Sequence, residues 1–141
     1  MKPIKTIKVG RKTVKVYHDN FQYFQPNDHV CGDCSIRAVS AALGTTWHTT
    51  LDKLVERAHK LSEPPTSTEC VGALLAENGF KWHPIDVRNG GKRPTVHEFS
   101  KENDSTCVLS VANHLVCSVG GFYKDIWDCG EKCLYGYWEK E

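Results

Sequence analysis

Cys31-Gly32-Asp33-Cys34-Ser35-Ile36-Arg37-Ala38-Val39 is the stretch on which the reading of this chain turns. Beyond it the apolar positions Ile36, Val39, Ala42 and Leu43 recur at helical spacing, and Gly44 supplies a C-terminal stop. The spacing predicts a helix starting at Asp33 or Cys34, mostly small and apolar, and so buried at the centre of the domain. A cysteine at a helix start lies against unpaired backbone N–H groups, which favour its thiolate and lower its pKa. Cys34 is therefore a candidate nucleophile; the competing reading is a small buried helix residue. Cys31, in the loop before the helix, reads as a bystander or resolving thiol.

Upstream, residues 4 to 17 alternate Ile and Val with Lys and Thr on both sides of Gly10-Arg11-Lys12, the period of a two-stranded ribbon turning at glycine. Lys2, Lys5, Lys8, Arg11, Lys12 and Lys15 are six of the eighteen basic residues, with no acid among the first sixteen positions. The remainder keeps twelve basic against seventeen acidic residues, a net of −5. A basic ribbon docked on an acidic body explains the asymmetry, and binding of an acidic partner is the sharper reading; nucleic acid is not favoured. The aromatic and amide-rich segment Phe21 to Asp28 has no period and reads as a loop.

The chain of 141 residues fits one domain, with the hydrophobic and charged fractions of an ordinary globular protein. The start lacks an apolar signal region and no run approaches the ~18 apolar residues of a membrane span, so the expected location is cytoplasmic, with no membrane partner. Seven cysteines, an odd count without an export signal, argue for thiol chemistry or a metal before a disulfide framework.

Downstream, Thr49 and Asp52 have capping-box spacing ahead of Leu51, Leu54, Val55, Ala58 and Leu61, which predicts a second helix ended by Pro64-Pro65. Thr66 and Glu69 repeat that spacing before Val71, Leu74 and Leu75, with Gly79 closing a third helix. Phe80 to Val87 reads as a strand that Pro84 confines to an edge or bends. Residues 88 to 94 form a loop by composition, and Thr95 with Glu98 marks one more short helix. From there the period becomes two. Thr106 to Val111, Leu115 to Val119, a Gly120-Gly121 turn, Phe122 to Asp128 and Leu134 to Trp138 read as three or four strands. Helices first and sheet second is the order of an α+β domain.

Acyl transfer by cysteine needs a base, a group that orients the base, and donors for the developing oxyanion. His114 stands at the start of the Leu115–Val119 strand, and Asp128 ends the strand across the hairpin. A turn centred on Gly120-Gly121 sets His114 opposite Trp127 or Asp128, and Asp125 opposite Val116 or Cys117. This register predicts Asp128, rather than Asp125, as the carboxylate beside the imidazole.

On these residues the chain resembles the papain-like cysteine peptidases, in the compact form of small bacterial and phage-type domains. A nucleophile opens a central helix, and a sheet carries His and Asp on neighbouring strands, in the order Cys, His, Asp. Cys31-Gly32-Asp33-Cys34-Ser35 echoes the family's Cys-Gly-small-Cys-aromatic run, with Asp33 for the small residue and Ser35 for the aromatic one. The resemblance covers about residues 21 to 138. It implies a papain-like fold in which N-terminal helices, the nucleophile helix central, pack on a C-terminal antiparallel sheet. Residues 21–141 would then be the catalytic domain and residues 1–20 a basic hairpin extension. It further implies a thiol-dependent acyl hydrolase, a cysteine peptidase acting on a peptide or protein without a cofactor. Cys34 would be the nucleophile, His114 the base and later acid, and Asp128 the orienting group. The oxyanion hole would combine the Cys34 backbone N–H with an upstream side-chain amide. Where the family has Gln six positions before the nucleophile this chain has Asp28, so Asn27, and then Gln25, are the substitutes. The Phe21–Asn27 loop and the Trp47–His48 region are the expected cleft walls.

Two alternatives stand beside this. Cys31-x2-Cys34 with Cys129-x3-Cys133 gives four thiols in two close pairs, a set that tetrahedral zinc can clamp in a structural or interaction domain. The same triad also serves a transamidase or deamidase, since it specifies acyl chemistry and not the acceptor. Arg37, one turn after Cys34, reads as a surface or salt-bridge residue before a substrate contact.

Overall fold

The structure, a computed structural model, describes residues 2–9, 11–88 and 90–141. The chain opens with β1 (Lys5–Val9) and β2 (Lys12–Val16), an antiparallel ribbon in which Ile7 pairs with Val14 and Lys5 with Val16. Gly10, the glycine expected to turn this ribbon, lies outside the described residues, as does Asn89 of the loop at 88 to 94. Next comes β3 (Phe21–Tyr23), inside the segment expected to be a loop; three residues are too few to display a period.

Three helices follow. α1 (Cys34–Leu43) begins and ends where its apolar spacing predicts, with Gly44 in the left-handed conformation at φ 66°. α2 (Trp47–Leu61) starts two residues before the expected cap. The hydroxyl that accepts from a backbone N–H is Thr46, bonded to Thr49 N, because Thr49 is itself already helical. α3 (Thr68–Glu77) is capped by Ser67 rather than Thr66, its hydroxyl accepting from Cys70 N. β4 (Phe80–Pro84) leads to α4 (Val96–Glu102), which carries both halves of the Thr95–Glu98 capping box. The chain closes with β5 (Cys107–Val111), β6 (His114–Val119), β7 (Phe122–Asp125) and β8 (Gly136–Lys140).

The fold is α+β, with a six-stranded sheet in the order β3-β7-β6-β5-β8-β4. The sheet is mixed, not wholly antiparallel as expected, because β3 runs parallel to β7 along its outer side. Pro84 does sit on an edge strand, where its missing N–H costs no ladder bond. β5, in the middle, is buried on both faces. Val108 joins Ile36, Val39, Leu54, Val71 and Leu74 in a core beneath α1–α3, whereas Leu109 and Val111 join Phe21, Val96, Val116, Tyr123 and Leu134 in a second core on the other face. Val16 belongs to the second core, so the ribbon is fastened to the body by its own apolar face. Among the described residues no helix is long and apolar enough to cross a membrane.

Gly136 on β8 pairs with Pro84 of β4 and lies under the Trp82 indole. A Cβ there meets the indole ring and comes within 2.9 Å of the His83 carbonyl oxygen. Gly136→Ala is therefore expected to cost about 1–3 kcal/mol through overpacking, read as a lowered denaturation midpoint with an unchanged m-value.

Candidate active site

The N-terminus of α1 meets the end of the sheet where β6 begins and β7 stops, and the chemistry-bearing side chains gather there. The Cys34 thiol and the His114 imidazole are within hydrogen-bonding reach of one another, and the Leu115 backbone also bonds the sulfur. His114 Nε2 lies 2.5 Å from Asp125 Oδ2, which leaves Nδ1 for Cys34. The Trp127 ring stands 5.0 Å from the imidazole, centroid to centroid.

The carboxylate is thus Asp125, and this corrects the expectation of Asp128. The hairpin register is the expected one, with Cys117 opposite Lys124 and Ser118 opposite Tyr123. It sets Asp125 opposite Val116, whose side chain shares a face with that of His114 two residues away. A diagonal pair of this kind is within reach of a long side chain and a ring. Asp128 never enters the register because β7 ends at Asp125. The Asp125 carboxylate accepts the N–H of the next residue, Ile126, at 2.7 Å, a local bond that competes with the ladder and turns the chain out of the sheet. Asp128 instead accepts from the Tyr123 hydroxyl and from Gly130 N, beside His18.

A buried cation holds the carboxylate. Arg37 donates from Nη1 to Asp125 Oδ1 at 2.7 Å and from Nε to Asp33 Oδ1 at 2.8 Å; its side chain is 7% exposed and that of Asp125 1%. Asp33 Oδ2 accepts in turn from Trp47 Nε1 and Asn27 Nδ2, both at 2.8 Å. Of the two roles read for Arg37, surface or salt-bridge residue, the structure shows the second: it is a buried ion-pair member of the site. Its i,i+4 relation to Asp33 was visible in the sequence, while its reach to Asp125, 88 positions away, was not.

The two expected oxyanion amides lie elsewhere. Asn27 spends its amide on Asp33 and lines a depression with Cys31, Trp47 and His48, separate from the cleft of Cys34. Gln25 takes the Tyr23 hydroxyl and bonds Asn27. The cleft over Cys34 has a volume of about 690 Å³ and is walled by residues of β2, by Tyr23, Val30, Arg37, Asn113 and His114, and by Ile126 and Trp127. Tyr23 thus bears out one part of the Phe21–Asn27 wall, whereas Trp47 and His48 face the other depression.

The electrostatics pair the sulfur with the ring. Burial opposes both charged forms, but the Asp125 and Cys34 hydrogen bonds and charges outweigh it and raise the pKa of His114 to about 9. Burial likewise works against the Cys34 thiolate, and the His114 hydrogen bond, the Leu115 backbone and the charges of His114 and Arg37 overcome it, lowering that pKa. The other displaced thiols move upward. Burial pushes Cys107 and Cys117 to about 12, and burial with the Asp125 charge raises Cys129. Slight desolvation and the Asp33 carboxylate raise Cys31.

Among the described residues the one group of three or more ligand-type side chains close enough to share an ion is His114, Asp125 and Cys129, their atoms within 4.8 Å of each other. It contains Cys129 but not Cys31, Cys34 or Cys133, so the four-thiol clamp is not assembled. Asp125 already neutralises Arg37 here and accepts from the Cys129 thiol at 3.3 Å. Compared with protein-family models, with curated proteins and with solved structures, the chain finds no match.

The imidazolium contributes stability that is complete below the unfolded value near pH 6.5 and is lost as pH rises through about 9. Asp125→Asn is expected to lower the His114 pKa towards 6.5, followed by NMR titration of the ring, whereas Asp128→Asn leaves it near 9. Arg37→Met, which strands two buried carboxylates, is expected to cost about 3–5 kcal/mol in chemical denaturation.

Proposed function

We propose that the protein is a thiol-dependent acyl hydrolase, a cysteine peptidase of papain-like type, in which Cys34 is the nucleophile, His114 the acid and base, and Asp125 the group that orients the ring. The observation that carries this reading is the chain Cys34–His114–Asp125, closed by a 2.5 Å bond and anchored by Arg37. Geometry of this kind keeps a thiolate beside an imidazolium near neutral pH, the state that attacks an acyl carbon without prior proton transfer.

In the reaction the sulfur adds to the carbonyl carbon, forming a C–S bond. The C–N bond breaks as His114 gives its proton to the departing amine, and a thioester remains on Cys34. Water then attacks the thioester while passing a proton to His114, and the acid is released with the thiolate restored. The developing oxyanion meets the N-terminus of α1, where the Asp33 side chain makes no capping bond to the orphan N–H groups. Arg37 supplies a second donor. Its Nε and Nη1 are committed to Asp33 and Asp125, and Nη2, with no bond of its own among the described residues, is the nitrogen left for the cleft that Arg37 lines. That charged donor takes the place of the side-chain amide that Asn27 and Gln25 do not bring to the cleft. Transfer to an amine, or deamidation of glutamine, uses the same groups with a different acceptor.

A nitrophenyl ester is the direct probe. One equivalent of nitrophenolate is expected in a burst, with the acyl mass on Cys34. His114→Ala is expected to slow it by roughly 10²–10⁴-fold, and Asp128→Asn to leave it nearly unchanged. Turnover should decline on the alkaline side near pH 9, where His114 loses its proton. Acylation of another thiol, or a burst indifferent to His114, would sink the assignment.

A further inference from the structure

The basic ribbon is the feature that a Cys–His–Asp site does not by itself explain. Thr13 and Val14, consecutive residues of β2, both line the cleft that contains Cys34 and His114. Consecutive strand residues point their side chains to opposite faces. Val14 packs towards the second core and Thr13 is exposed on the outer face. What both can present to one cleft is the strand's backbone edge. The opposite edge of β2 is occupied by β1, and the two make a sheet of their own. Among the described residues, the only backbone bond of β2 outside that ladder is Val16 O accepting from Ile4 N. The edge of β2 that faces the nucleophile is unpaired, and an unpaired edge is a template for a further strand.

We propose that the outer edge of β2 is the docking edge for the substrate, an extended peptide that joins the ribbon as a third strand, with apolar side chains beside Val14 alternating with acidic ones beside Lys15. This rests on the acyl-hydrolase reading and names its substrate class. The alternation follows from the pleat. Side chains of the added strand on the inner face neighbour Val14, while those on the outer face neighbour Thr13 and the exposed Lys15. Charge points the same way, since the first sixteen residues hold six basic side chains and no acid. Other lining residues supply an apolar rim. Val30 is 71% exposed and Trp127 40% exposed, both on this cleft, which suits an apolar side chain next to the scissile bond.

The test uses the full chain with Cys34→Ala, which binds without turnover, and fluorescent ten-residue peptides alternating Val with Glu, or Val with Lys, read by anisotropy. The Val/Glu peptide is expected to bind more tightly, more so at low salt, and Lys15→Glu to weaken it by roughly threefold while improving the Val/Lys peptide. Strand addition makes a sharper demand, because only alternate N–H groups of the peptide face the ribbon. Val/Glu peptides N-methylated at odd positions and at even positions must therefore differ, one phase losing affinity roughly tenfold and the other keeping it. Equal loss in both phases, no preference for the acidic peptide, or no measurable binding would overturn the proposal. The nucleophile reading is checked apart from it by the nitrophenyl ester burst of the unmodified protein, which needs no peptide. If that burst is absent, the acyl-hydrolase reading has failed, whichever way the peptides bind; if it is present and the peptides do not bind, the docking edge alone has failed.

Discussion

The Arg37 guanidinium, buried between Asp33 and Asp125, is the constraint on which the rest of the site depends. A charge taken out of water is tolerated only when paired and hydrogen-bonded, and here two carboxylates do this from opposite sides. Asp33 belongs to the start of α1 and Asp125 to the end of β7, so one side chain ties the helix to the sheet end at fixed separation. Cys34 rides on that helix one turn before Arg37, and His114 is held by the same Asp125 that Arg37 holds. The spacing of sulfur and imidazole is therefore set by two short ion-pair links rather than by loop conformation. That is the kind of support that a preorganised site requires.

Local surroundings sort the five thiols whose pKa is displaced. Burial alone raises a thiol's pKa, and Cys117 shows that effect; at Cys107 burial leads and the Glu139 carboxylate adds to it. Cys129 has a carboxylate for its neighbour and is raised further from ionisation. Cys34 is also substantially buried, yet it alone of the displaced thiols moves downward, because its neighbours are an imidazole and a guanidinium. The helix start prepares the position, and the positive partners decide the sign.

Much of the fold was legible in the sequence because short-range chemistry dictates it. Apolar spacing located α1, the Thr95–Glu98 box located α4, and the glycine pair fixed the β6–β7 register to within one residue. What failed was the extension of that register past Asp125, since strand length depends on where the carboxylate spends its second oxygen, and the periodicity of Phe122 to Asp128 carries no record of it. Asn27 failed for a related reason. Its amide was expected in the cleft but is captured by Asp33, whose own acceptor capacity is spent on a helix neighbour, an indole and this amide. Arg37 is the instructive half-success. An Asp-x3-Arg pair at a helix start announces a local ion pair, and only the fold reveals that the same guanidinium reaches the sheet.

Asp125 and Asp128, three residues apart, divide the work that a single carboxylate was expected to do. Asp125 faces inward and holds the ring. Asp128, carried out of the sheet by the bend at Ile126, meets the Tyr123 hydroxyl and Gly130 N and approaches His18, which lies two residues beyond β2. Tyr123 also bonds His18 at 2.6 Å, so this second cluster clasps the base of the ribbon to the chain that follows β7. The ribbon and Trp127 both line the Cys34 cleft. The bend that keeps Asp128 away from His114 thus places it beside His18, at the base of the ribbon that lines the Cys34 cleft. A strand two residues longer would keep the diagonal His114–Asp125 pair, which the register sets, but would carry Asp128 along the sheet and lose the clasp.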